Sequence, residues 1–233
     1  MIRIIRSNER YLAEHGWLTS RFSFSFAEYY DPNNRLFGPM RVLNDDIIQP
    51  ETGFGMHPHA EMEIVTYMIS GELMHEDSAG NREILRAGEL QRMSAGTGIY
   101  HSEVNPSTDT PAHLLQMWFL PDTKGLTPSY EQKGFPREAK IGRLLPVVSN
   151  RKFEGNLHIH QDMTIYLSVL EAGTNLSHQS EEGRRTHLFV IDGELTLNGS
   201  EKMSQGDAAR IENMTDLSFA TESSAEFMLI DLP

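Results

Sequence analysis

The chain has 233 residues, of which 39% are hydrophobic and 23% charged, a composition that excludes a disordered or fibrous protein. Its formal net charge of −13 argues against direct binding to nucleic acid, because the phosphate backbone is itself anionic. The absence of cysteine excludes disulfides, thiolate metal sites and a cysteine nucleophile. Any bound metal would have to be held by imidazole and carboxylate groups.

The chain carries no recognisable targeting or membrane signal. No segment approaches the roughly eighteen consecutive apolar residues of a membrane-spanning helix, and the first residues lack the apolar stretch of a signal peptide. We therefore expect a cytoplasmic protein that binds neither a membrane nor nucleic acid directly. We also expect a monomer.

Short alternating segments separated by turns dominate the chain. In chain order, the pattern predicts a short helix at 7–13, a strand at 22–26 whose three phenylalanine rings pack in the core, a strand at 62–68, a hairpin turn at 77–81 and a short helix at 136–140. Regular strand spacing with glycine-rich turns is typical of an all-β sandwich or barrel.

A weak internal repeat indicates that the β structure is duplicated. The segment YMISGEL at 67–73 resembles FVIDGEL at 189–195, and each is followed by a second glycine that precedes an acidic residue. Chance similarity between two hairpins is the alternative. The repeat predicts two related β-barrels in tandem: the first within 1–121, a connecting segment at 122–146 and the second within 147–233.

Two pairs of potential metal ligands lie in the first barrel: His57 with His59, and His101 with Glu103. Residues i and i+2 of an extended strand point to the same side, so each pair can face one point inside a barrel. Each pair alone is weak evidence, since an isolated H-x-H is more often a surface or hydrogen-bonding feature. The two pairs together predict a site of three imidazoles and one carboxylate, which suits iron, manganese, nickel, copper or zinc.

The other histidines are interpreted as structural. His158 and His160 form another H-x-H, but no second pair matches them. The positions of the second repeat that correspond to the three histidines of the predicted site are occupied by Gln179, Glu181 and Phe219. The second barrel is therefore predicted to bind no metal.

Several of these motifs resemble those of a known family. The sequence GMHPHAEME at 55–63 resembles the first cupin motif, and SAG at 94–96 followed by His101 resembles the second. Together with DSAGN at 77–81 and HSE at 101–103, they resemble the pirin family, in particular its bacterial quercetinase-like members, over essentially the whole chain. The chain departs from the general cupin pattern in having two extra residues before the second-motif histidine and a serine in place of a usual proline.

This resemblance implies an all-β fold of two tandem cupin (jelly-roll) barrels, with one divalent metal in the first, bound by His57, His59, His101 and Glu103. Fe(II) is the expected metal, with Mn, Ni, Cu, Co or Zn as alternatives. Glu63 of the first motif would orient a ligand imidazole rather than bind the metal itself.

The resemblance also implies an activity, the oxygen-dependent cleavage of flavonols such as quercetin, like that of quercetin 2,3-dioxygenase. The flavonol would bind the metal as its 3-hydroxyl anion and react with dioxygen, and Glu103 would act as a transient base as well as a ligand. Two alternatives remain open. The protein could be another metal-dependent enzyme acting on an unidentified small molecule, or a metal-dependent regulatory protein, since eukaryotic pirins are transcriptional co-regulators.

Overall fold

The computed structural model describes residues 1–233, and almost all of its regular structure is β. The second predicted helix is confirmed as α1 (Arg137–Lys140), whereas the first is a 3-10 turn (Ser7–Glu9) that leads into a strand. No helix has the length and apolar character needed to cross a membrane. The strands are, in chain order, β1 (Ile2–Ile5), β2 (Tyr11–Glu14), β3 (Leu18–Phe22), β4 (Met40–Ile48), β5 (Gly53–His59), β6 (Glu63–Ser70), β7 (Glu72–Asp77), β8 (Arg82–Arg86), β9 (Glu89–Ser94), β10 (Ile99–Val104), β11 (Ala112–Phe119), β12 (Ser129–Gly134), β13 (Leu145–Ser149), β14 (Leu157–His158), β15 (Thr164–Glu171), β16 (Asn175–Gln179), β17 (Arg185–Leu197), β18 (Glu201–Ser204), β19 (Ala208–Glu212), β20 (Asp216–Ala220) and β21 (Ser224–Leu232).

The N-terminal unit comprises Tyr11–Gly134 and Ile159–Gln161. It contains a seven-stranded antiparallel sheet in the order β12-β9-β6-β11-β4-β3-β2 and a four-stranded antiparallel sheet in the order β5-β10-β7-β8. Side chains alternate between the two faces of each strand, so one face of each sheet can point inward. Leu73 and Leu85 of the small sheet pack with Met68 of the large sheet in one buried core cluster.

The C-terminal unit comprises Met1–Arg10, Phe135–His158 and Asp162–Pro233. Its main sheet has the order β1-β19-β17-β21-β15-β13-β14. The long strand β17 continues beyond this sheet and pairs with β18 and β20, and β20 pairs with β16. The core cluster is formed by apolar side chains that include Phe219 and Phe227, whose ring centroids are 5.0 Å apart.

The two units share one strand order, which confirms the duplication and the all-β fold of two jelly-roll barrels. The order β9-β6-β11-β4-β3 in the N-terminal unit corresponds to β19-β17-β21-β15-β13 in the C-terminal unit. The repeat glycines Gly71 and Gly193 both have a φ of +76°. A Cβ atom on them would lie 2.5 Å from the Pro111 oxygen and 2.0 Å from the Ser224 oxygen, respectively. Both positions need glycine, because a neighbouring strand passes too close for a side chain.

The predicted domain boundaries differ from these units in four places. Residues 135–146 of the predicted connecting segment belong to the C-terminal unit, and Ile159–Gln161 of the predicted second barrel belong to the N-terminal unit. β1 pairs with β19, so Met1–Arg10 belong to the C-terminal unit and not to a first barrel spanning 1–121. β12 pairs with β9, so residues 122–134 belong to the N-terminal unit and not to a connecting segment. In each unit, one edge strand of the large sheet, β1 or β12, lies outside the repeated hairpins. The repeat therefore did not reveal that these strands belong to the sheets.

Replacing Gly71 with alanine should destabilise the N-terminal unit, because the Cβ would overlap the Pro111 carbonyl and alanine would be held at a positive φ. Gly16 is a matched control, since its φ is +80° but a Cβ there would meet nothing within 4 Å. We expect Gly16→Ala to cost about 1 kcal/mol of unfolding free energy and Gly71→Ala at least twice that. Urea unfolding followed by tryptophan fluorescence measures both, because Trp17 and Trp118 lie in this unit. Equal losses would contradict the close-approach explanation.

Candidate metal centre

β5 and β10 carry the four predicted ligands and lie side by side in the small sheet of the N-terminal unit. His57 lies opposite His101, and His59 lies opposite Ile99. Opposite residues of an antiparallel pair project from the same face, so the three histidines share one face of the sheet. The register shifts between His101 and Glu103, so a β-bulge sets the position of the carboxylate.

The three imidazoles converge on one point. Their possible ligand nitrogens all lie within 4.8 Å of one another. The Nε2 atoms of His57 and His59 are 3.1 Å apart, and two nitrogens bound to one ion at about 2.0–2.1 Å are separated by about 3 Å. His101 is only 1% exposed, and neither of its ring nitrogens has a hydrogen-bond partner. Orphaned buried nitrogens are costly unless they are bound, so the cluster fits a metal ion.

Burial favours the neutral form of two of these imidazoles, those of His59 and His101, and the neutral form is the one that binds a metal. Burial, together with the neighbouring imidazoles of His101 and His57, lowers the pKa of His59 to about 4. Burial also lowers the pKa of His101 to about 3, with further contributions from His57 and His75. The Nδ1 atom of His57 lies 2.7 Å from the carbonyl oxygen of Gly55. A carbonyl can only accept, so Nδ1 carries the proton and Nε2 keeps its lone pair.

Glu103 is held in place by two glutamine amides. The residue is 2% exposed, and its Oε1 and Oε2 accept hydrogen bonds of 2.7 Å from Gln91 and 2.7 Å from Gln116. The Thr66 hydroxyl links the two amides, since it accepts from Gln91 at 3.0 Å and donates to Gln116 at 2.8 Å. These bonds fix the direction of the carboxylate. The sequence pattern does not single out these three residues, because they lie on strands of the other sheet.

Glu103 belongs to a second cluster, which shares His101 and adds His75. The possible ligand atoms of these three residues also lie within 4.8 Å of one another. His75, interpreted from the sequence as structural, is fully buried and lies opposite Glu103. Its Nε2 is 3.1 Å from Asp77 Oδ2, and its ring stacks on Tyr130 with centroids 4.5 Å apart. The i, i+2 spacing of His75 and Asp77 is the signal that could have revealed this pair.

Glu63 has different partners from those predicted. Its Oε2 accepts hydrogen bonds of 2.9 Å from the Ser94 hydroxyl and 3.2 Å from the His160 backbone N–H, and its Oε1 lies 3.6 Å from His160 Nδ1. The imidazole beside Glu63 is therefore His160 and not a predicted ligand. Neither His158 nor His160 belongs to a cluster of three potential ligands.

Both clusters of potential ligands lie in the N-terminal unit. In the C-terminal unit, Gln179 and Glu181 are exposed and Phe219 is packed in the apolar core. That the second barrel binds no metal stays a prediction.

The histidine cluster borders a cavity of about 610 Å³, within the range of about 300–1,000 Å³ that is usual for small-molecule sites. Its lining is mostly apolar and includes five aromatic side chains: Trp17, Phe22, Phe26, Phe54 and Trp118. Trp17 meets Phe54 edge-on at 5.1 Å, and Trp118 meets His59 edge-on at 4.7 Å.

The predicted strand at 22–26 was only partly correct. β3 ends at Phe22, so the strand is shorter than predicted. Of the three rings, only that of Phe24 is fully buried in the core and does not line the cavity. Phe22 and Phe26 line the cavity, although the sequence favoured core packing for all three rings. Alternation alone does not distinguish a core face from a cavity wall.

One part of the cavity wall is polar and comprises Ser20, Asn44, Asp46 and Gln116. Asp46 is 2% exposed and accepts a hydrogen bond from the Ser20 hydroxyl. Burial raises the pKa of Asp46 to about 7, because the effect of the Ser20 bond is outweighed by burial and by the nearby Asp45 and Glu103 carboxylates. This carboxyl group of the cavity wall therefore keeps its proton to a higher pH than an ordinary aspartate does.

Replacing Asp46 with asparagine should stabilise the metal-free protein in a pH-dependent way. The folded-state pKa is about 7, above the ordinary 3.8, so the folded form holds a proton that the unfolded form releases. Stability of the native protein should therefore fall as the pH rises from about 4 to about 7, by at most roughly 4 kcal/mol. An asparagine side chain does not titrate, so the advantage of Asp46→Asn should grow over this window. Urea unfolding at several pH values measures it, and a pH-independent difference would contradict the raised pKa.

Comparisons with known proteins agree with this fold. The profile of the pirin family matches residues 5–119, and that of the quercetinase C-terminal cupin domain matches residues 146–232. Quercetin 2,3-dioxygenase of Escherichia coli K12 is 46% identical over 233 residues, covering 100% of this chain and 99% of that protein. The crystal structure of the bacterial pirin YhhW from E. coli in complex with nickel(II) is 44% identical, with a TM-score of 0.95 and coverage of 100% and 99% of the two chains.

A more distant structure shows the fold alone. Quercetin 2,3-dioxygenase from Acinetobacter baumannii is 20% identical, with a TM-score of 0.77 over 95% of this chain and 83% of that one. The identity to the E. coli protein extends over the whole chain, and both barrels match their own profiles. This chain therefore belongs to the pirin family.

Proposed function

We propose that this protein is a metal-dependent dioxygenase that opens the heterocyclic ring of flavonols such as quercetin. The observation that carries the proposal is a cluster of three converging imidazoles, two of which, His57 and His59, line an aromatic cavity large enough for a small planar molecule. The E. coli relative named quercetin 2,3-dioxygenase supports the same reaction class.

The proposed metal ligands are His57, His59, His101 and Glu103. The three histidines offer converging nitrogens, and Glu103 lies beside His101 with its carboxylate already oriented. We propose Fe(II) as the native metal; Mn, Ni, Cu, Co and Zn suit the same donors, and a relative binds nickel. When bound, such a metal would stabilise the deprotonated hydroxyl of the substrate and make it reactive at neutral pH.

Glu103 has the role of base as well as ligand. A carboxylate whose two oxygens are fixed by Gln91 and Gln116 can take the proton of a substrate hydroxyl without first reorienting. The hydroxyl of Tyr130 lies 3.0 Å from the Oε1 of Gln91, which extends this support to a third strand. The amides thus position the proton acceptor, while the histidines hold the metal.

The aromatic wall orients the substrate and excludes water. Trp17 and Phe54 meet edge-on, as do Phe26 and Trp118, whose centroids are 5.3 Å apart. Such rings favour a flat aromatic ligand, which can stack on their faces or pack against their edges. Exclusion of water also strengthens every charge interaction in the site.

The first test of this proposal is metal content. Elemental analysis of the full chain after dialysis against a weak chelator should give about one equivalent of metal per chain. His57→Ala and His101→Ala should each lose most of it, because each removes a ligand from a set of four. His158→Ala is the matched control and should keep the full amount, since it belongs to no ligand cluster. Full retention in both cluster variants would reject the ligand set.

The second test is oxygen consumption. Metal-loaded protein should consume dioxygen with quercetin and release carbon monoxide, chelator should abolish this activity, and Fe(II) but not Zn(II) should restore it, because zinc has no redox chemistry. Glu103→Gln keeps the shape of the side chain but cannot take a proton, so kcat should fall by roughly 10²-fold or more. If fully metallated protein consumes no oxygen with any of several flavonols, the dioxygenase proposal fails and the regulatory alternative is favoured.

A further inference from the structure

A row of polar side chains crosses the large sheet of the N-terminal unit beneath the metal cluster. Successive strand registers pair Asn44 with Gln116, Gln116 with Thr66, and Thr66 with Gln91. Residues that lie opposite each other project from the same face, so these four side chains share one face. Three of them are joined to one another or to Glu103 by hydrogen bonds.

Asn44 is the member of this row that remains unsatisfied. It lines the cavity, is only 3% exposed, and its Oδ1 atom has no hydrogen-bond partner. Buried amide oxygens are nearly always paired, so an orphaned one on a residue that lines a cavity indicates a missing donor. Adjacent strands are about 4.8 Å apart. Asn44 lies opposite Gln116 on the neighbouring strand, so it is about one strand spacing from the glutamine that donates a hydrogen bond to Glu103.

Asp46 extends the polar wall along the same strand. It lies two residues from Asn44 and hence on the same face, lines the cavity, and is 2% exposed. The Ser20 hydroxyl donates to one of its oxygens. Asn44 and Asp46 thus both belong to the polar part of the cavity wall.

The C-terminal unit shows that this strand pattern does not require polar residues. Thr66 lies five residues before Gly71, as Leu188 lies five before Gly193 (71 − 66 = 193 − 188). The register there pairs Leu188 with Leu229 and with Ala209, so three of the four corresponding positions are apolar, and the fourth, opposite Leu229, is Tyr166. The polar row is therefore a property of the barrel that has the cavity and not a requirement of the fold.

We infer that Asn44 and Asp46 form a subsite that binds a hydroxyl group of the substrate other than the hydroxyl bound at the metal. This inference rests on the proposed function and narrows its substrate class to planar aromatic molecules with a second phenolic hydroxyl. A neutral hydroxyl is the fitting donor, because both side chains present acceptors. An anion would be repelled by Asp46 and Glu103, and an organic cation by the metal in the same cavity.

The test measures binding without turnover. The full chain, loaded with metal and kept free of oxygen, is titrated with three flavonols: 3-hydroxyflavone, which has only the chelating group, galangin, which adds hydroxyls on the fused ring, and quercetin, which adds a catechol. Both tryptophans of the chain, Trp17 and Trp118, line the cavity, so quenching of their fluorescence reports binding directly. Thermal unfolding of each variant confirms that it is folded.

Asn44→Leu, close in size but without hydrogen-bonding atoms, should weaken the binding of quercetin, galangin or both about tenfold. It should change the binding of 3-hydroxyflavone by no more than about twofold, since the loss of one hydrogen bond to a ligand is worth about a factor of ten. Asp46→Asn, which keeps the shape of the side chain, should show the same selectivity to a smaller degree. Leu18→Val is the matched control, because it alters an apolar part of the lining and should affect all three flavonols equally.

The subsite would be overturned if Asn44→Leu lost the same binding affinity for all three flavonols, or lost none for galangin and quercetin. It would also be overturned if the wild-type protein bound none of the three. Failure of the subsite can be distinguished from failure of the proposed function. A protein that binds with the expected selectivity but consumes no oxygen retains the subsite and loses the dioxygenase proposal. A protein that turns over all three flavonols with equal affinity retains the activity and loses the subsite.

Discussion

The register in which β5 pairs with β10 around His57 and His101 is the constraint on which the site depends. A strand turns alternate side chains to opposite faces, so a slip of one residue would move His57 and His59 away from His101. The register is secured next to the site by a close approach of the two backbones. A Cβ atom at Gly53 would lie 2.2 Å from the Glu103 carbonyl oxygen, so only glycine lets β5 approach β10 at this point. The same contact that joins the two strands therefore also sets the position of the carboxylate.

The position of Glu103 also requires polar groups in the interior of the N-terminal unit. A carboxylate inside a barrel, such as that of Glu103, must be hydrogen-bonded, because an unpaired buried charge is costly. Gln91 and Gln116 supply these bonds from the large sheet, and Thr66 supports both amides. The inward face of the large sheet is consequently polar where the C-terminal unit packs leucine.

The two units show how one fold supports different interiors. Both have the same strand order and a glycine at the same crowded turn, so the backbone constraints are shared. They differ in the side chains that point inward: a ligand cluster and a cavity in one, a continuous apolar core that includes Phe219 and Phe227 in the other. Function in this chain is thus a property of the inward-facing residues of one barrel and not of the architecture.

The sequence by itself determined the features that depend on local pattern. The all-β class and the duplication follow from alternation and from the glycine-bearing hairpins, and the convergence of His57, His59 and His101 follows from i, i+2 spacing on neighbouring strands. Only the tertiary structure decided features that join distant segments. The edge strands β1 and β12, the support of Glu103 by Gln91 and Gln116, and the cavity wall that includes Asp46 all depend on pairings between residues far apart in the chain. A single sequence records which faces of a strand are apolar or polar, but which strands face one another across a barrel is set by packing of the whole chain.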